Sequence, residues 1–160
     1  MIMDDIRIFR SLIGKEYTLL GLDLGTKTIG VAISDKSWTI ALPLHTIRRT
    51  KFSSDIEQLT HIVEQRTVGG IVLGLPLNMN GTEGPRCQST RAFAQNLNQK
   101  IDLPIIFWDE RLSTVAVERT LQEMDTRHKR RIEIIDQMAA GFILQGLLDR
   151  FNQTNKRSEE

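Results

Sequence analysis

LLGLDLGTKTIGVAISD, residues 19–35, is an apolar, β-branched run that breaks at Gly25, Thr26 and Lys27 and then resumes. Two such runs joined through a glycine turn read as paired strands. Tyr17 to Leu24 forms the first, Ile29 to Ser34 the second, and Thr39 to Ile47 a third, beyond a turn at Asp35 to Ser37. One residue is out of place in this pattern. Alternation along a strand sends Asp23 to one face and its neighbours Leu22 and Leu24 to the other. On a central strand both faces are covered, and a carboxylate there is costly unless a hydrogen bond or a positive charge compensates it. Asp23 therefore either secures the glycine turn that follows or belongs to a site.

Working outward, Ser53 with Ile56, Leu59, Ile62 and Val63 predicts a capped helix that stops at Gly69-Gly70. IVLGLP, residues 71–76, is the continuous apolar run of a parallel strand covered on both faces. A polar loop, 77–84, leads to a helix from Pro85 to Lys100 with proline in its first turn. A second buried strand, 104–108, runs out into Asp109, Glu110 and Arg111, and Ser113 caps a helix carrying Val117, Leu121 and Met124. A last helix covers about Ile132 to Phe151, and Ile6, Phe9, Leu12 and Ile13 give a short amphipathic helix within residues 4–14. An antiparallel meander followed by helix–strand units specifies an α/β fold. It is a five-stranded mixed sheet, antiparallel in strands one to three and parallel in four and five, with helices on both faces. That order of elements is the ribonuclease H-like one. The chain reads as a single domain over 1–160, with a helical extension at 1–15 and a flexible tail at 152–160.

Composition narrows the function. Hydrophobic residues make up 40% of the 160 and charged residues 26%, an ordinary globular usage. A single cysteine, Cys87, excludes an internal disulfide and fits a reducing compartment. No run approaches the roughly 20 apolar residues of a membrane span, and the first ten residues carry acids where a signal peptide carries bases, so the expectation is cytoplasmic. The net charge of +1 argues against nucleic-acid binding by global attraction, but two basic clusters stand out locally. They are Arg48, Arg49 and Lys51, then Arg127, His128, Lys129, Arg130 and Arg131.

Two further acids accompany Asp23. Asp109 and Glu110 lie at the carboxyl edge of a parallel strand, where open α/β sheets bind ligands. Neighbouring strand residues face opposite ways, so one of the two joins Asp23. Asp136 has Ile132, Ala139, Ala140 and Ile143 as helical neighbours, which places it inside an apolar stripe. Three carboxylates brought together need a counter-charge, and hard oxygen ligands suit Mg2+ or Mn2+. Two such ions about 4 Å apart support in-line displacement at a phosphodiester. The predicted metal ligands are thus Asp23, Asp136 and one of Asp109 and Glu110.

Four segments together resemble a known family: GLDLGTKTIGVAISD (21–35), GLPLNMNGTEGPRCQSTRAF (74–93), FWDERLST (107–114) and IDQMAAGFILQGLLD (135–149). In this order and spacing they are similar to the YqgF family, also called RuvX. That family is bacterial, grouped with Holliday junction resolvases and later assigned to maturation of the 5′ end of pre-16S ribosomal RNA. The resemblance implies a ribonuclease H-like, metal-dependent nuclease in ribosome biogenesis. Carried over by position, the family's first-strand acid falls on Asp23, its Asp-Glu-Arg acids on Asp109 and Glu110, and its last-helix acid on Asp136; Glu110 is taken as the metal-facing residue beside Asp23 and Asp136, with Asp109 a further catalytic candidate. Thr28 departs from the family pattern, which usually has a basic residue there, leaving Lys27 as the nearby cation.

Nucleic-acid contacts are expected from Lys27, Arg86 and Arg111, and from Arg127, Lys129, Arg130 and Arg131 on the backbone phosphates. The expected partner is precursor ribosomal RNA or branched nucleic acid, with ribosomal assembly particles as a further possibility, and the protein a monomer or homodimer. Two nuclease substrates thus stay open, together with a non-catalytic RNA-binding assembly factor. An ATP-binding phosphotransferase, suggested by Asp23 to Thr26 as a phosphate loop, would need a second such domain.

Overall fold

A computed structural model describes residues 1–112 and 128–159, with side chains over 1–112 and 135–153. The elements in chain order are β1 (Ile2–Met3), α1 (Ile6–Ser11), β2 (Thr18–Leu24), β3 (Thr28–Ser34), β4 (Ala41–Arg48), α2 (Phe52–Gln65), β5 (Val68–Leu75), α3 (Pro85–Lys100), β6 (Ile105–Asp109), a 3-10 turn (Glu110–Leu112) and α4 (His128–Glu159). They build one mixed sheet in the order β1-β6-β5-β2-β3-β4. The meander β2-β3-β4 is antiparallel, and β5 and β6 run parallel to β2 on its other side.

Each face of the sheet carries its own apolar layer. Leu20, Leu22 and Leu24 of β2 join Leu59 of α2 and Phe93 and Leu97 of α3 on one side. On the other, Leu19 and Val72 pack with Phe9 of α1 and with Ala140, Ile143, Leu144 and Leu147 of α4. All of β5 is buried, as its unbroken apolar run requires. Among the described residues no helix is long and apolar enough to cross a membrane.

Several expectations change. The sheet has six strands, not five, because Ile2 and Met3 pair in parallel with Ile105 and Ile106. Two residues are too few to show a period. Helix α2 starts at Phe52 without a side-chain cap, so Ser53 lies inside it, and it ends at Gln65 rather than at the glycines. The break falls at Thr67, which takes a left-handed φ of 53°, while the Thr18 hydroxyl donates to the Arg66 carbonyl at 2.8 Å. Gly69 and Gly70 are strand residues. A Cβ on Gly69 would stand 2.5 Å from the Tyr17 Cβ, and one on Gly70 2.3 Å from the Ile13 Cδ1. They make room for the segment around α1, which is the physical reason for two glycines there. The expected tail is helical through residue 159, since 152–159 holds neither glycine nor proline to stop α4. The helix expected after Ser113 lies outside the described residues.

Candidate active site

Strand order alone separates the acids. β5 stands between β2, which carries Asp23, and β6, which leads into Glu110. At about 4.8 Å per strand the two backbones are roughly 10 Å apart. Leu22 of β2 pairs with Leu73 of β5, so the next β5 residue, Gly74, lies level with Asp23. A Cβ on Gly74 would come 2.6 Å from both Glu110 Oε1 and Ile143 Cδ1. The Glu110 carboxyl therefore lies across the bare backbone of the middle strand. There it hydrogen-bonds Asp23.

Two carboxyl groups hydrogen-bond only with a proton between them. Burial pushes Glu110 up to about 8, reinforced by the hydrogen bond to Asp23 and by the charges of Asp23 and Asp109, against the opposing field of Arg86. Burial also raises Asp23, while the Glu110 hydrogen bond and Arg86 lower it. Near neutral pH Glu110 therefore keeps its proton. Asp109 takes a different role. Arg111 grips its carboxylate, with Nε at 3.0 Å from each oxygen and Nη2 at 2.6 Å from Oδ2, and this pairing holds Asp109 below the usual carboxylate range.

Asp136 arrives on α4 directly above β3. A Cβ on Gly30, the residue paired with Asp23, would fall 2.0 Å from the Asp136 carbonyl oxygen. The carboxylate itself accepts a hydrogen bond from the Thr28 hydroxyl at 2.6 Å. Among the described residues no three acids, histidines or cysteines stand close enough together to hold a metal ion. Asp23 and Glu110 thus form a pair, and Asp136 stands on α4 with its carboxylate on the Thr28 hydroxyl. Thr28, whose departure from the family pattern had no explanation in sequence, is thus the partner of the third acid.

Around the pair, Arg86 sits at the second position of α3. A cavity of about 410 Å³ opens beside Glu110, lined also by Asn78, Met79, Arg86 and Arg111. Arg111 closes one wall by donating to the Met79 carbonyl at 3.3 Å. Lys27 is exposed in the β2–β3 turn. Arg49 braces that turn, with its Nη1 at 2.6 Å from the Gly25 carbonyl and its N–H at 2.9 Å from the Lys27 carbonyl. Cys87 is buried with Sγ 3.1 Å from the Pro76 carbonyl, a packing role. Lys129, Arg130 and Arg131 fall in the first turn of α4, where side chains lie outside the described residues, as Arg127 does entirely. Sequence reasoning singled out Thr28 and Arg49 without these roles, and it missed Gly74. The glycine breaking IVLGLP was the available signal for the last.

Comparison with known proteins places this arrangement. Residues 17–150 match the family model described as RuvX: Holliday junction resolvase. A protein of Roseobacter denitrificans named "Putative pre-16S rRNA nuclease" is 60% identical over 152 residues, covering 94% of this chain and 93% of that one. One of the same name from Paracoccus denitrificans is 59% identical over 150 residues, covering 94% and 95%. Among solved structures, T. thermophilus RuvC in complex with Holliday junction substrate superposes with a TM-score of 0.53 at 9% identity, covering 84% of this chain and 96% of that one. At that identity the likeness is one of fold, which is the ribonuclease H-like fold.

Proposed function

This chain belongs to the RuvX family, and from that premise we propose that it is a divalent-metal-dependent endonuclease that processes the 5′ end of pre-16S ribosomal RNA. The observation that carries the reading is the hydrogen-bonded pair Asp23 and Glu110, brought together over Gly74 at the carboxyl ends of parallel strands. Relatives about 60% identical over nearly their whole length carry the pre-16S nuclease name, which supports the substrate.

The donor set fits a hard divalent ion. Two largely buried carboxyls lie in contact in the field of Arg86, and Mg2+ or Mn2+ favours such oxygens. Asp23 and Glu110 would hold the ion, with Asp136 as the third candidate ligand. When bound, the ion lowers the pKa of water and offsets charge on the phosphoryl oxygens. The remaining work falls to this chain's own side chains. Glu110 must release the proton it shares with Asp23 before the pair can act as a ligand. Arg86, on the cavity wall and in the field of both acids, is placed to receive a phosphate oxygen. Arg111 holds Asp109 and the Met79 loop, so it shapes the wall.

A second reading, resolution of Holliday junctions, is favoured by the description of the matching family model. A symmetric junction needs two cuts and hence a dimer. Purified protein with Mn2+, assayed side by side on a precursor of small-subunit ribosomal RNA and on a four-way DNA junction, distinguishes the two. The expected result is cleavage of the RNA near its mature 5′ end. A protein that cuts the junction and leaves the RNA whole would overturn the RNA assignment.

A further inference from the structure

A second cavity, of about 320 Å³, lies far from the acids and serves nothing in the chemistry above. It is lined by Arg10, Ile13, Lys15, Lys36, Ser37 and Trp38. Three of these residues are cations and one is an indole, and the Ser37 hydroxyl donates to the neighbouring Asp35 carboxylate at 2.6 Å. Lys36 to Trp38 belong to the turn after β3, and Lys15 follows α1, so the cavity sits where β2 begins. Asp23 is near the other end of that strand. The seven residues of β2 separate the two by roughly 20 Å.

The wall is built, not incidental. Arg10 lies 5.4 Å over the Phe151 ring and donates to the Phe151 carbonyl at 3.4 Å, which fixes its guanidinium against α4. Trp38 has a φ of 56°, a left-handed backbone that bulky residues rarely adopt. Its indole N–H donates to the Tyr17 carbonyl at 2.8 Å, and its ring stands 5.7 Å from Phe151. Glycine or asparagine would occupy that backbone without strain, yet an aromatic is held there with its side chain at the cavity and partly exposed. An aromatic plane among lysines and arginine is the recurring platform for single-stranded nucleic acid: a base stacks on the ring and the cations take the flanking phosphates.

We infer that this cavity is a second contact for the RNA strand, seating one nucleotide with its base against Trp38 and its phosphates among Arg10, Lys15 and Lys36. The inference rests on the nuclease reading for the presence of an RNA substrate. It adds a grip about 20 Å from the cleaved bond, so that a long precursor is held better than a short fragment.

The test is binding without cleavage. A fluorescein-labelled single-stranded oligoribonucleotide is titrated, in chelator, into the wild type and into the exposed double variant Lys15→Glu, Lys36→Glu. The variant is expected to bind roughly tenfold more weakly, and its log Kd against log salt to flatten by about 1.4, at about 0.7 per lost phosphate contact. Trp108→Phe leaves Trp38 as the sole tryptophan, and its emission is expected to be quenched by the oligoribonucleotide. Unchanged affinity and slope, emission that RNA does not alter, or quenching by inorganic phosphate as strong as by RNA would each overturn the inference. Because no step is catalytic, failure here leaves metal-dependent cleavage untouched, and absent cleavage with intact Trp38 quenching would fault only the nuclease reading.

Discussion

Replacing Asp23 with Asn is expected to slow metal-dependent RNA cleavage by at least roughly a hundredfold while the fold survives. Asparagine keeps the size of the side chain and a hydrogen bond to Glu110, and it removes the charge. The loss therefore isolates electrostatics from packing. Stability should hold or rise, because one of two like groups in a largely buried site is gone. Single-turnover cleavage of the precursor RNA, with a thermal melt on the same preparation, measures both. Activity near the wild-type level in a protein freed of contaminating nucleases would place the chemistry elsewhere.

The second large effect needs only one methyl group. Gly30→Ala is expected to destabilise the protein by about 3 kcal/mol, near the upper end for overpacking, and to depress cleavage with it. The added Cβ would meet the Asp136 carbonyl oxygen at 2.0 Å and its carbon at 2.5 Å. Both partners are backbone, so α4 must lift from β3 as a body. That motion also pulls Asp136 from Thr28, which explains the coupled loss. Gly84→Ala is the control, since its Cβ would meet only the Asn78 side chain at 3.4 Å. Urea unfolding of the two variants makes the comparison, and a Gly30→Ala midpoint equal to that of Gly84→Ala would mean that α4 does not rest on Gly30.

Much of this was legible in the residues. Helix α3 has the bounds that Pro85 and the run to Lys100 suggest, and the meander follows from its glycine turns. Alternation marked Asp23 as anomalous because strand geometry is local and periodic. What could not be read was spacing between elements. Gly69-Gly70 looked like a helix stop because glycine usually is one, and only the side chains of Ile13 and Tyr17 packing onto the strand reveal another purpose. The choice between Asp109 and Glu110 depended on a 3-10 turn after β6 and on Gly74 across the sheet. Thr28 read as a missing cation, because its partner, Asp136, is 108 residues away in the chain. Of the three acids expected to converge, two are in contact in the structure, and the third accepts a hydrogen bond from the Thr28 hydroxyl.

The central claim is that Asp23 and Glu110 form one proton-sharing unit that a divalent ion enters. Calorimetric titration of Mn2+, repeated in buffers of different ionisation enthalpy, counts the protons that leave on binding. Glu110 titrates at about 8, so it is protonated near neutral pH and must lose that proton to become a ligand. The expected result is release of about one proton per ion near neutral pH, falling as the pH passes 8, with affinity rising about tenfold per pH unit below it. In Glu110→Gln that release should vanish. Binding of Mn2+ with no proton released, or with the same release in Glu110→Gln, would contradict the shared-proton site.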